Sequence, residues 1–331
     1  MRTGRGTMLV AISLAAVTAC SGASAPGASP AASTSGSSGT STKSSATPPG
    51  EPTSSTTPSA TRTASLSFHA KAALATVRKL AGEFGPREAT TAAYRQAAAW
   101  VGQRFASLGY DVQRQMLHVP SGVSWGVPVK AGRTWNVVAR PRDMKRGTPY
   151  LLVGAHLDTV PQAPGAEDNA SGIGVLLEVA RIATVAPARL PVVFVAFAAE
   201  EPRGSGDSHH HYGSRAMVTR MSAVERNALR GMVALDRVGV GQRVPVCDGG
   251  LGSSSVVWSV RRDAHATGVR TSDCGVNRLS DHWSFELAGL PAARIGGTPY
   301  AQYHSARDLA PVVDLAQLDR SGRLLWAWLR R

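Results

Sequence analysis

The sequence predicts an α/β fold: one globular domain with a mostly parallel central sheet and helices on both faces. Several short segments are apolar throughout, as strands are when both faces of a sheet are covered. Segments with helical spacing of apolar residues alternate with them along the chain. The chain of 331 residues is also long enough to bury a large core, and it contains no internal repeat.

The first predicted elements are two helices and a strand. Residues 70–82 and 90–108 carry helical spacing, and the second segment places Ala97, Val101 and Phe105 on one side. Residues 111–119 alternate as a half-buried strand does. The remaining predicted strands are 136–139, 150–154, 191–199 and 231–235, and the remaining predicted helices are 172–185, 256–266 and 315–329.

The N-terminus predicts export and a lipid anchor. Arg2 and Arg5 precede an apolar stretch, residues 8–19, which is too short to span a bilayer. It ends in Val-Thr-Ala-Cys, and an aliphatic residue with two small ones before Cys20 is the pattern of a bacterial lipoprotein cleavage site. We therefore expect residues 1–20 to be a lipoprotein signal peptide and Cys20 to be lipidated. A plain signal peptide cleaved elsewhere is the alternative.

Residues 21–66 consist almost entirely of Ser, Thr, Ala, Gly and Pro, with too few apolar side chains to offset the entropy of ordering. They predict a disordered tether between the anchor and a folded domain, residues 67–331. We expect an extracytoplasmic protein, attached to the outer leaflet of the cell membrane or released into the medium. Cys247 and Cys274 can form a disulfide in that compartment, but their spacing alone does not decide it.

The net charge of +14 raises the question of a nucleic-acid partner. The basic residues are scattered, however, with no run denser than Arg140, Arg142, Lys145 and Arg146, and no nucleic-acid motif accompanies them. The sequence therefore favours a generally basic surface and no nucleic-acid partner.

Metal-binding side chains follow the predicted strands, where open α/β sheets place their ligands. His156 follows strand 150–154, Glu200 and Glu201 follow strand 191–199, and Asp236 follows strand 231–235. Adjacent carboxylates such as Glu200 and Glu201 repel each other unless a cation or a raised pKa relieves them. Histidine nitrogens and carboxylate oxygens are ligands that zinc accepts. The other candidates are Asp158, Asp168 in a Gly-rich loop, His304 and Asp308.

Taken together, the segments around these residues resemble the secreted co-catalytic di-zinc aminopeptidases, the family of the leucyl aminopeptidase and aminopeptidase Y types. The motifs that carry the resemblance run in order across residues 70–331. They are Gly-Ala-His-Leu-Asp (154–158), Gly-Ala-Glu-Asp-Asn-Ala-Ser-Gly (165–172), Ala-Phe-Ala-Ala-Glu-Glu (196–201), Leu-Asp-Arg-Val-Gly (235–239), Ser-Asp-His (280–282) and Tyr-His-Ser-Ala-Arg-Asp (303–308).

The resemblance implies two zinc ions. His156 and Asp236 would bind one ion, Glu201 and His304 the other, and Asp168 would bridge the two. It also implies the zinc-exopeptidase fold, similar to that of the phosphorylase/hydrolase class, and a cis peptide bond between Asp168 and Asn169.

The resemblance assigns catalytic roles to two more residues. Glu200 would be the general base that takes a proton from the shared water, and the hydroxyl of Tyr303 would help to hold the oxyanion. Asp158 and Asp308 would each orient a ligand histidine through its other ring nitrogen.

Ser280, Asp281 and His282 match a motif expected to support the site or to cap a helix, and His209–His211 is interpreted as a loop insertion without a metal. The loops that shape the substrate pocket are expected to carry Trp258, Trp283 and Tyr300.

The reaction implied is hydrolysis of the N-terminal peptide bond of peptides with a free N-terminus, by an enzyme expected to be a monomer. Two alternatives remain. Glutaminyl cyclases share the scaffold but use one zinc ion. A catalytically inert binding lipoprotein of the cell envelope could also keep this fold.

Overall fold

The computed structural model describes residues 67–331 of the protein. The predicted signal peptide (1–20), with Cys20, and the predicted tether (21–66) lie outside these residues. In the part of the chain that the structure describes, no helix is long and apolar enough to cross a membrane.

Eight of the strands form one mixed sheet, and two short strands form a separate hairpin. The hairpin consists of β2 (Gly122–Ser124) and β3 (Val127–Val129). The strands of the main sheet are β1 (Asp111–Val119), β4 (Gly132–Arg140), β5 (Tyr150–His156), β6 (Val192–Phe197), β7 (Leu229–Asp236), β8 (Val244–Asp248), β9 (Thr271–Val276) and β10 (Ala292–Gly296).

The order of strands across the main sheet is β1-β4-β6-β5-β7-β10-β8-β9. The four central strands β6, β5, β7 and β10 are mutually parallel, and β9 is parallel to β8. Antiparallel pairs join β1 to β4, β4 to β6, and β10 to β8. The predicted mostly parallel α/β sheet is confirmed, with antiparallel additions on both sides of its centre.

Helices cover both faces of the sheet, as predicted. The helices are α1 (Ala70–Arg78), α2 (Ala92–Ser107), α3 (Gly172–Ala183), α4 (Tyr212–Arg220), α5 (Ala223–Ala228), α6 (Ser255–Thr267), α7 (His282–Leu287) and α8 (Leu315–Arg330). Buried apolar side chains of α1, α2, α3, α6 and α8 join one core cluster, and those of α4, α5 and α7 join the other. A short π-helical segment occupies Lys79–Phe84, and 3-10 turns occupy Asp207–His209 and Ala310–Val312. The segment Ala166–Ser171 is a kinked turn in which Asp168 and Asn169 are not helical.

The central strands are apolar throughout because both of their faces are covered. Every residue of β5 and β6 is buried. Along β6, Val192, Phe194 and Ala196 enter one core cluster, whereas Val193, Val195 and Phe197 enter the other. Each fully buried valine or phenylalanine side chain stabilises the fold by about 1.5–3 kcal/mol relative to exposure. Since β5 is parallel to both β6 and β7, the carboxyl ends of the three strands lie at the same edge of the sheet.

Several elements were not predicted. The strand β8 contains Pro245, which weakens a strand pattern, and β9 is polar and has no buried residue. The short strand β10, the hairpin β2–β3 and the short helices α4, α5 and α7 lack enough residues for a clear period. Cys247 on β8 and Cys274 on β9 are joined by a disulfide, with their Cα atoms 5.4 Å apart.

Candidate metal centre

The predicted ligands meet at the edge of the sheet formed by the carboxyl ends of β5, β6 and β7. His156 is the last residue of β5, and Asp236 is the last residue of β7. Glu200 and Glu201 follow β6 after Ala198 and Ala199. Since these strands are parallel neighbours, the polar side chains that follow them arrive at the same place.

Asp168 reaches this place on a tight loop. The bond between Asp168 and Asn169 is cis, as the resemblance implied. The side chain of Asn169 donates to the carbonyl of Leu235 and accepts from the main-chain N–H groups of Gly172 and Arg237. These bonds attach the loop to the end of β7 and so fix Asp168 next to Asp236.

The two carboxylate oxygens of Asp168 face different histidines. Its Oδ1 lies 3.0 Å from Nε2 of His156, and its Oδ2 lies 3.2 Å from Nε2 of His304. Nε2 of His156 is also 3.7 Å from Oδ1 of Asp236, and Nε2 of His304 is 3.3 Å from Oε1 of Glu201. The five predicted ligands therefore form two groups that share Asp168.

The donor set fits metal ions. All five side chains are buried, yet Oε1 of Glu201, Oδ1 of Asp236 and Nε2 of His304 have no hydrogen-bond partner in the described structure. Buried polar atoms without a partner are costly, and a cation would satisfy them. Ligand atoms of His156, Glu200 and Asp236 lie within 4.8 Å of one another, as do those of His156, Asp168 and Glu201. By geometry alone, Glu200 can also serve as a ligand.

Asp158 supports the site in a different way from the one expected. The ring Nδ1 of His156 is 3.1 Å from the main-chain carbonyl of Asp158, not from its carboxylate. The carboxylate instead accepts the main-chain N–H groups of Glu200, at 3.1 Å, and Glu201, at 3.2 Å. Asp158 thus fixes the turn that presents both glutamates.

Asp308 also has other partners than predicted. Its carboxylate accepts the main-chain N–H groups of Glu167, at 2.9 Å, and Asp168, at 3.2 Å, and the hydroxyl of Tyr300 donates to it at 2.9 Å. The other ring nitrogen of His304, Nδ1, has no hydrogen-bond partner among the described residues. The expected contact between Asp308 and His304 is therefore corrected: Asp308 positions the loop that carries Asp168.

Arg87 is a supporting residue that the sequence did not reveal. Its fully buried guanidinium donates to the carbonyls of Leu157, Pro164 and Gly165, and its main-chain N–H donates to the hydroxyl of Thr159. Burial lowers the pKa of Arg87 to about 10, against the opposing effect of nearby carboxylates. Arg87 therefore connects the two ends of segment 157–165, which lies between the predicted ligands His156 and Asp168.

The carboxylates of the site titrate differently from one another. Burial, together with neighbouring carboxylates, raises the pKa of Glu200 and of Glu201 to about 8, against the opposing charges of His156 and His304. For Asp168, burial is outweighed by the nearby imidazoles of His156 and His304, so its pKa is lowered. For Asp236, burial is outweighed by Arg294, whose Nη2 is 3.0 Å away, and by His156, so its pKa is also lowered.

Tyr303 covers one side of this centre and is 37% exposed. Its ring stacks on His304, with centroids 3.6 Å apart, and the guanidinium of Arg237 lies 4.6 Å from its centroid. Burial and the charges of Asp168 and Glu201 raise the pKa of Tyr303, so its hydroxyl keeps its proton.

Left-handed backbone marks several residues of the site, most of which the sequence did not single out. Of the described residues other than glycine, five have positive φ: Trp125, Ala199, His211, Arg237 and His304. Such conformations persist only where the surrounding structure enforces them, and they concentrate at functional sites. Ala199 precedes the two glutamates, and the other four residues lie at the centre or contact it.

Trp125, His211 and Arg237 are thus additions to the predicted site. Trp125 is at the turn of the β2–β3 hairpin, with its ring centroid 4.4 Å from that of His304. His211, in the run interpreted as a loop insertion, places Nε2 at 3.2 Å from Oε1 of Glu200. Arg237 places Nε at 3.6 Å from Oδ1 of Asp236.

The three residues expected on the pocket loops, Trp258, Trp283 and Tyr300, have different surroundings from one another. Trp258 is 69% exposed on α6, and Trp283 is buried beneath the guanidinium of Arg278. Tyr300 supports Asp308, as described above. Asp281 and His282 are fully buried at the start of α7, next to Ser280, and none of the three caps that helix through a side-chain hydrogen bond.

Comparison with known proteins identifies relatives of this chain. The sequence profile of peptidase family M28 matches residues 136–329. Aminopeptidase YwaD of Bacillus subtilis is 32% identical over 203 residues, which are 57% of this chain and 42% of that protein. The probable lipoprotein aminopeptidase LpqL of Mycobacterium tuberculosis is 26% identical over 204 residues, 56% of this chain and 38% of that protein. The chain therefore spans about two fifths of the length of these curated relatives.

Solved structures share the fold. The zinc aminopeptidase BSAP from Bacillus subtilis superimposes with a TM-score of 0.70 at 20% identity, covering 80% of this chain and 95% of that one. A glutaminyl cyclase from Porphyromonas gingivalis superimposes with a TM-score of 0.66 at 26% identity, covering 79% of this chain and 98% of that one. The fold is therefore common to proteins that carry out two different reactions.

Proposed function

Because the chain belongs to peptidase family M28, we propose that it is a metal-dependent aminopeptidase, which hydrolyses the first peptide bond of peptides with a free N-terminus. The observation that carries this proposal is the placement of Asp168 between two histidines, with one carboxylate oxygen toward each, beside the adjacent glutamates 200 and 201.

We assign two zinc ions to this arrangement. His156 and Asp236 would hold one ion, Glu201 and His304 the other, and Asp168 would contribute one oxygen to each. When bound, the ions would lower the pKa of a bound water and polarise the scissile carbonyl.

Glu200 is proposed to move the proton. Its Oε1 is turned toward His211, whereas its Oε2 lies 4.0 Å from Nε2 of His156 and faces the predicted ligands. Oε2 would accept a proton from the attacking water and deliver it to the leaving amine. The main-chain bonds from Glu200 and Glu201 to Asp158 keep the base and the neighbouring ligand in a fixed relation.

Tyr303 is proposed to stabilise the charge that develops on the carbonyl oxygen. Its ring is held by stacking on His304, so its hydroxyl is positioned in advance of the reaction, and it remains protonated because its pKa is raised. The buried carboxylate of Asp236, whose pKa is lowered, would offer negative charge for the free α-amino group, and Glu200 would add to it once bound cations lower its pKa. This charge would restrict the enzyme to N-termini.

The place of action is proposed to be the outside of the cell membrane, with Cys20 as the lipid anchor and residues 21–66 as the spacer. The sequence pattern before Cys20 supports this proposal, as does the similarity to LpqL, a probable lipoprotein aminopeptidase. The partners proposed are peptides and the outer leaflet of the membrane.

Glutaminyl cyclisation is the second candidate, favoured by the likeness to the Porphyromonas gingivalis cyclase. It would use one metal ion at the same centre and release ammonia from an N-terminal glutamine. The paired arrangement of His156 with Asp236 and His304 with Glu201 around Asp168 favours two ions and hydrolysis.

The test uses the full chain and a panel of aminoacyl-p-nitroanilides, with chelator and with zinc restored. An N-acetylated substrate, a glutaminyl peptide and the Glu200→Ala variant accompany the panel. The aminopeptidase proposal predicts chelator-sensitive release from free-amino substrates only, and its loss in Glu200→Ala. Pyroglutamate formation without release would instead establish the cyclase. No reaction of a folded, zinc-loaded protein would leave the inert binding lipoprotein.

A further inference from the structure

We infer that Arg237 makes the mouth of this site selective for a carboxylate group of the substrate. The inference rests on the proposed function and gives it a substrate class: short peptides that carry a carboxylate close to the scissile bond. That carboxylate has two possible sources, an acidic side chain on the N-terminal residue or the C-terminal carboxylate of a dipeptide.

The backbone of Arg237 is fixed in an unusual conformation. Its φ of 57° is left-handed, a region that arginine rarely adopts. Its N–H donates to Oδ1 of Asn169 at 3.2 Å, and its carbonyl accepts from the N–H of Gly297 at 3.0 Å. Asn169 belongs to the loop of Asp168, so the direction of the Arg237 side chain is set by the metal centre itself.

The side chain of Arg237 lies over the centre, not in the core. Its guanidinium is 4.6 Å from the ring centroid of Tyr303, and the side chain is 12% exposed. The contact from Nε to Asp236, at 3.6 Å, is too long for a good hydrogen bond. Within residues 67–331, the guanidinium of Arg237 donates no hydrogen bond, so its N–H groups are available to a ligand.

Arg294 provides the contrast. It also pairs with Asp236, but it is fully buried, and its Nη1 donates to the side chain of Asn277 and to the carbonyl of Leu279. Arg294 therefore balances the charge of Asp236 from inside the protein. Arg237 is the second cation beside the same carboxylate, on the side where Tyr303 and Trp125 are exposed.

A guanidinium on an aromatic ring is well suited to hold a carboxylate. The ring fixes its plane, and the N–H groups on its edge form the fork that binds two carboxylate oxygens. A neutral apolar side chain placed here would remove water from the guanidinium without replacing the lost hydrogen bonds. The mouth therefore favours an acidic group over an apolar one.

The experiment compares substrates that differ only in this charge, with the zinc-loaded full chain. One pair consists of the 7-amido-4-methylcoumarin derivatives of aspartate and asparagine, which test the side-chain source. The other pair consists of Leu-Leu and Leu-Leu-amide, which test the C-terminal source. We expect kcat/KM to favour the charged member of one pair by about tenfold or more, because charge-assisted bonds are strong in a buried setting.

Substitutions assign the preference to Arg237. Arg237→Met should remove it, lowering kcat/KM more for the charged member of the pair than for the neutral member, and Arg237→Lys should keep part of it. Arg114→Met is the matched control, because Arg114 is an exposed arginine on β1 with its guanidinium 5.2 Å from the ring centroid of Trp135. This control should leave the ratio unchanged.

Binding supplies a measure that does not depend on turnover. Calorimetric titration of the zinc-loaded Glu200→Ala variant with the same two pairs should show the same preference, and its loss when Arg237→Met is added. Equal affinity within each pair, or an equal loss for charged and neutral members in Arg237→Met, would overturn the inference. Absence of turnover with every substrate would count against the aminopeptidase proposal, whereas the binding result would still decide the role of Arg237.

Discussion

Nε2 of His211 lies 3.2 Å from Oε1 of Glu200, and the two residues are also joined through the main chain. The N–H of His211 donates to the carbonyl of Glu200 at 3.0 Å. Burial is the main reason that the pKa of His211 is lowered to about 4, so the ring is neutral at pH 7. Its buried Nε2 has no hydrogen-bond partner among the described residues, so the tautomer that carries the proton on Nε2 can donate it to the carboxylate. His211 is therefore suited to position the proposed base, leaving Oε2 of Glu200 to take the proton.

Replacing His211 should slow the reaction without removing the metal. We expect His211→Leu to lower kcat about tenfold, equivalent to about 1.4 kcal/mol of transition-state stabilisation, with little change in KM. His211→Asn, which keeps a side-chain N–H donor, should recover part of the loss. Steady-state kinetics and bound zinc per chain are measured together. A normal kcat in His211→Leu, or an equal loss of zinc and kcat, would argue against a positioning role.

Replacing Asp308 should weaken metal binding. Asp308→Ala removes the acceptor for the N–H groups of Glu167 and Asp168 and for the hydroxyl of Tyr300, so the loop of Asp168 loses its anchor. We expect the affinity for zinc to fall about 10–100-fold, as for other supporting partners of metal ligands. Competition with a chelator of known affinity measures this change. Asp314→Ala is the control, since the side chain of Asp314 is exposed and caps helix α8; equal affinities in both variants would refute the prediction.

Gly213 should tolerate no side chain. A Cβ at this position would lie 2.2 Å from the carbonyl oxygen of Ala198 and 2.5 Å from Oδ1 of Asn136. We expect Gly213→Ala to lower the free energy of unfolding by about 3 kcal/mol, because these atoms belong to backbone and to a buried side chain that cannot yield. Gly82→Ala, with no atom within 4 Å of the new Cβ, should be neutral or stabilise by up to about 1 kcal/mol. Urea unfolding distinguishes the two; equal stabilities would contradict the prediction.

His282 should make the fold sensitive to acid. Burial and the charge of Arg294 lower its pKa to about 3, and its Nε2 is 2.7 Å from the carbonyl of Asn277. Between pH 6.5, the ordinary histidine pKa, and about pH 3, the unfolded chain binds a proton that the folded chain does not. The free energy of unfolding therefore falls as the pH falls through this range, by at most about 1.4 kcal/mol per pH unit from this group. His282→Gln, which keeps a donor but does not titrate, should show a shallower slope in urea unfolding from pH 7 to pH 4; an unchanged slope would exclude His282 as a source.

Removing the disulfide should affect stability more than activity. Cys247 and Cys274 are 27 residues apart, and a cross-link of this span stabilises by about 2–4 kcal/mol through the unfolded state. The double variant Cys247→Ser, Cys274→Ser should lose stability in this range while retaining kcat, because neither residue contacts the proposed ligands. Urea unfolding and the peptidase assay are the measurements. A loss of kcat in the folded double variant would show that the edge of the sheet matters to the centre.

The fold, and the meeting of the proposed ligand side chains at one edge of the sheet, were predictable because each depends on local patterns. The strands β5 and β6 are buried at every position, and His156, Glu201 and Asp236 stand at or shortly after strand ends in motifs of a known family. Asp308 lies beside the site, as expected, but the sequence cannot tell which N–H groups donate hydrogen bonds to its carboxylate. That choice depends on the path of the loop from Gly165 to Asp168, which only the tertiary structure defines.

The residues that were missed depend on backbone conformations that sequence patterns rarely reveal. His211 and Arg237 reach the centre because their φ is positive, a choice that tertiary contacts impose. Trp125 had a sequence signal that was not used, because Trp125-Gly126 separates two short segments and a glycine at this position favours a tight hairpin turn. In the structure both residues have positive φ and form the turn between β2 and β3. Arg237 had another signal, because it directly follows a predicted ligand.

The disulfide between Cys247 and Cys274 also affects the tendency of the protein to aggregate. The strand β9 ends the order of the sheet, pairs only with β8 and has no buried residue, so one of its sides is a row of open main-chain groups. A strand from another molecule can pair with such a row. If β9 detached, the edge of β8 would be open in the same way. The covalent link keeps β9 in place, and exposed Asp273 adds charge next to it. At high concentration the protein would thereby be protected from aggregating through this side of its sheet.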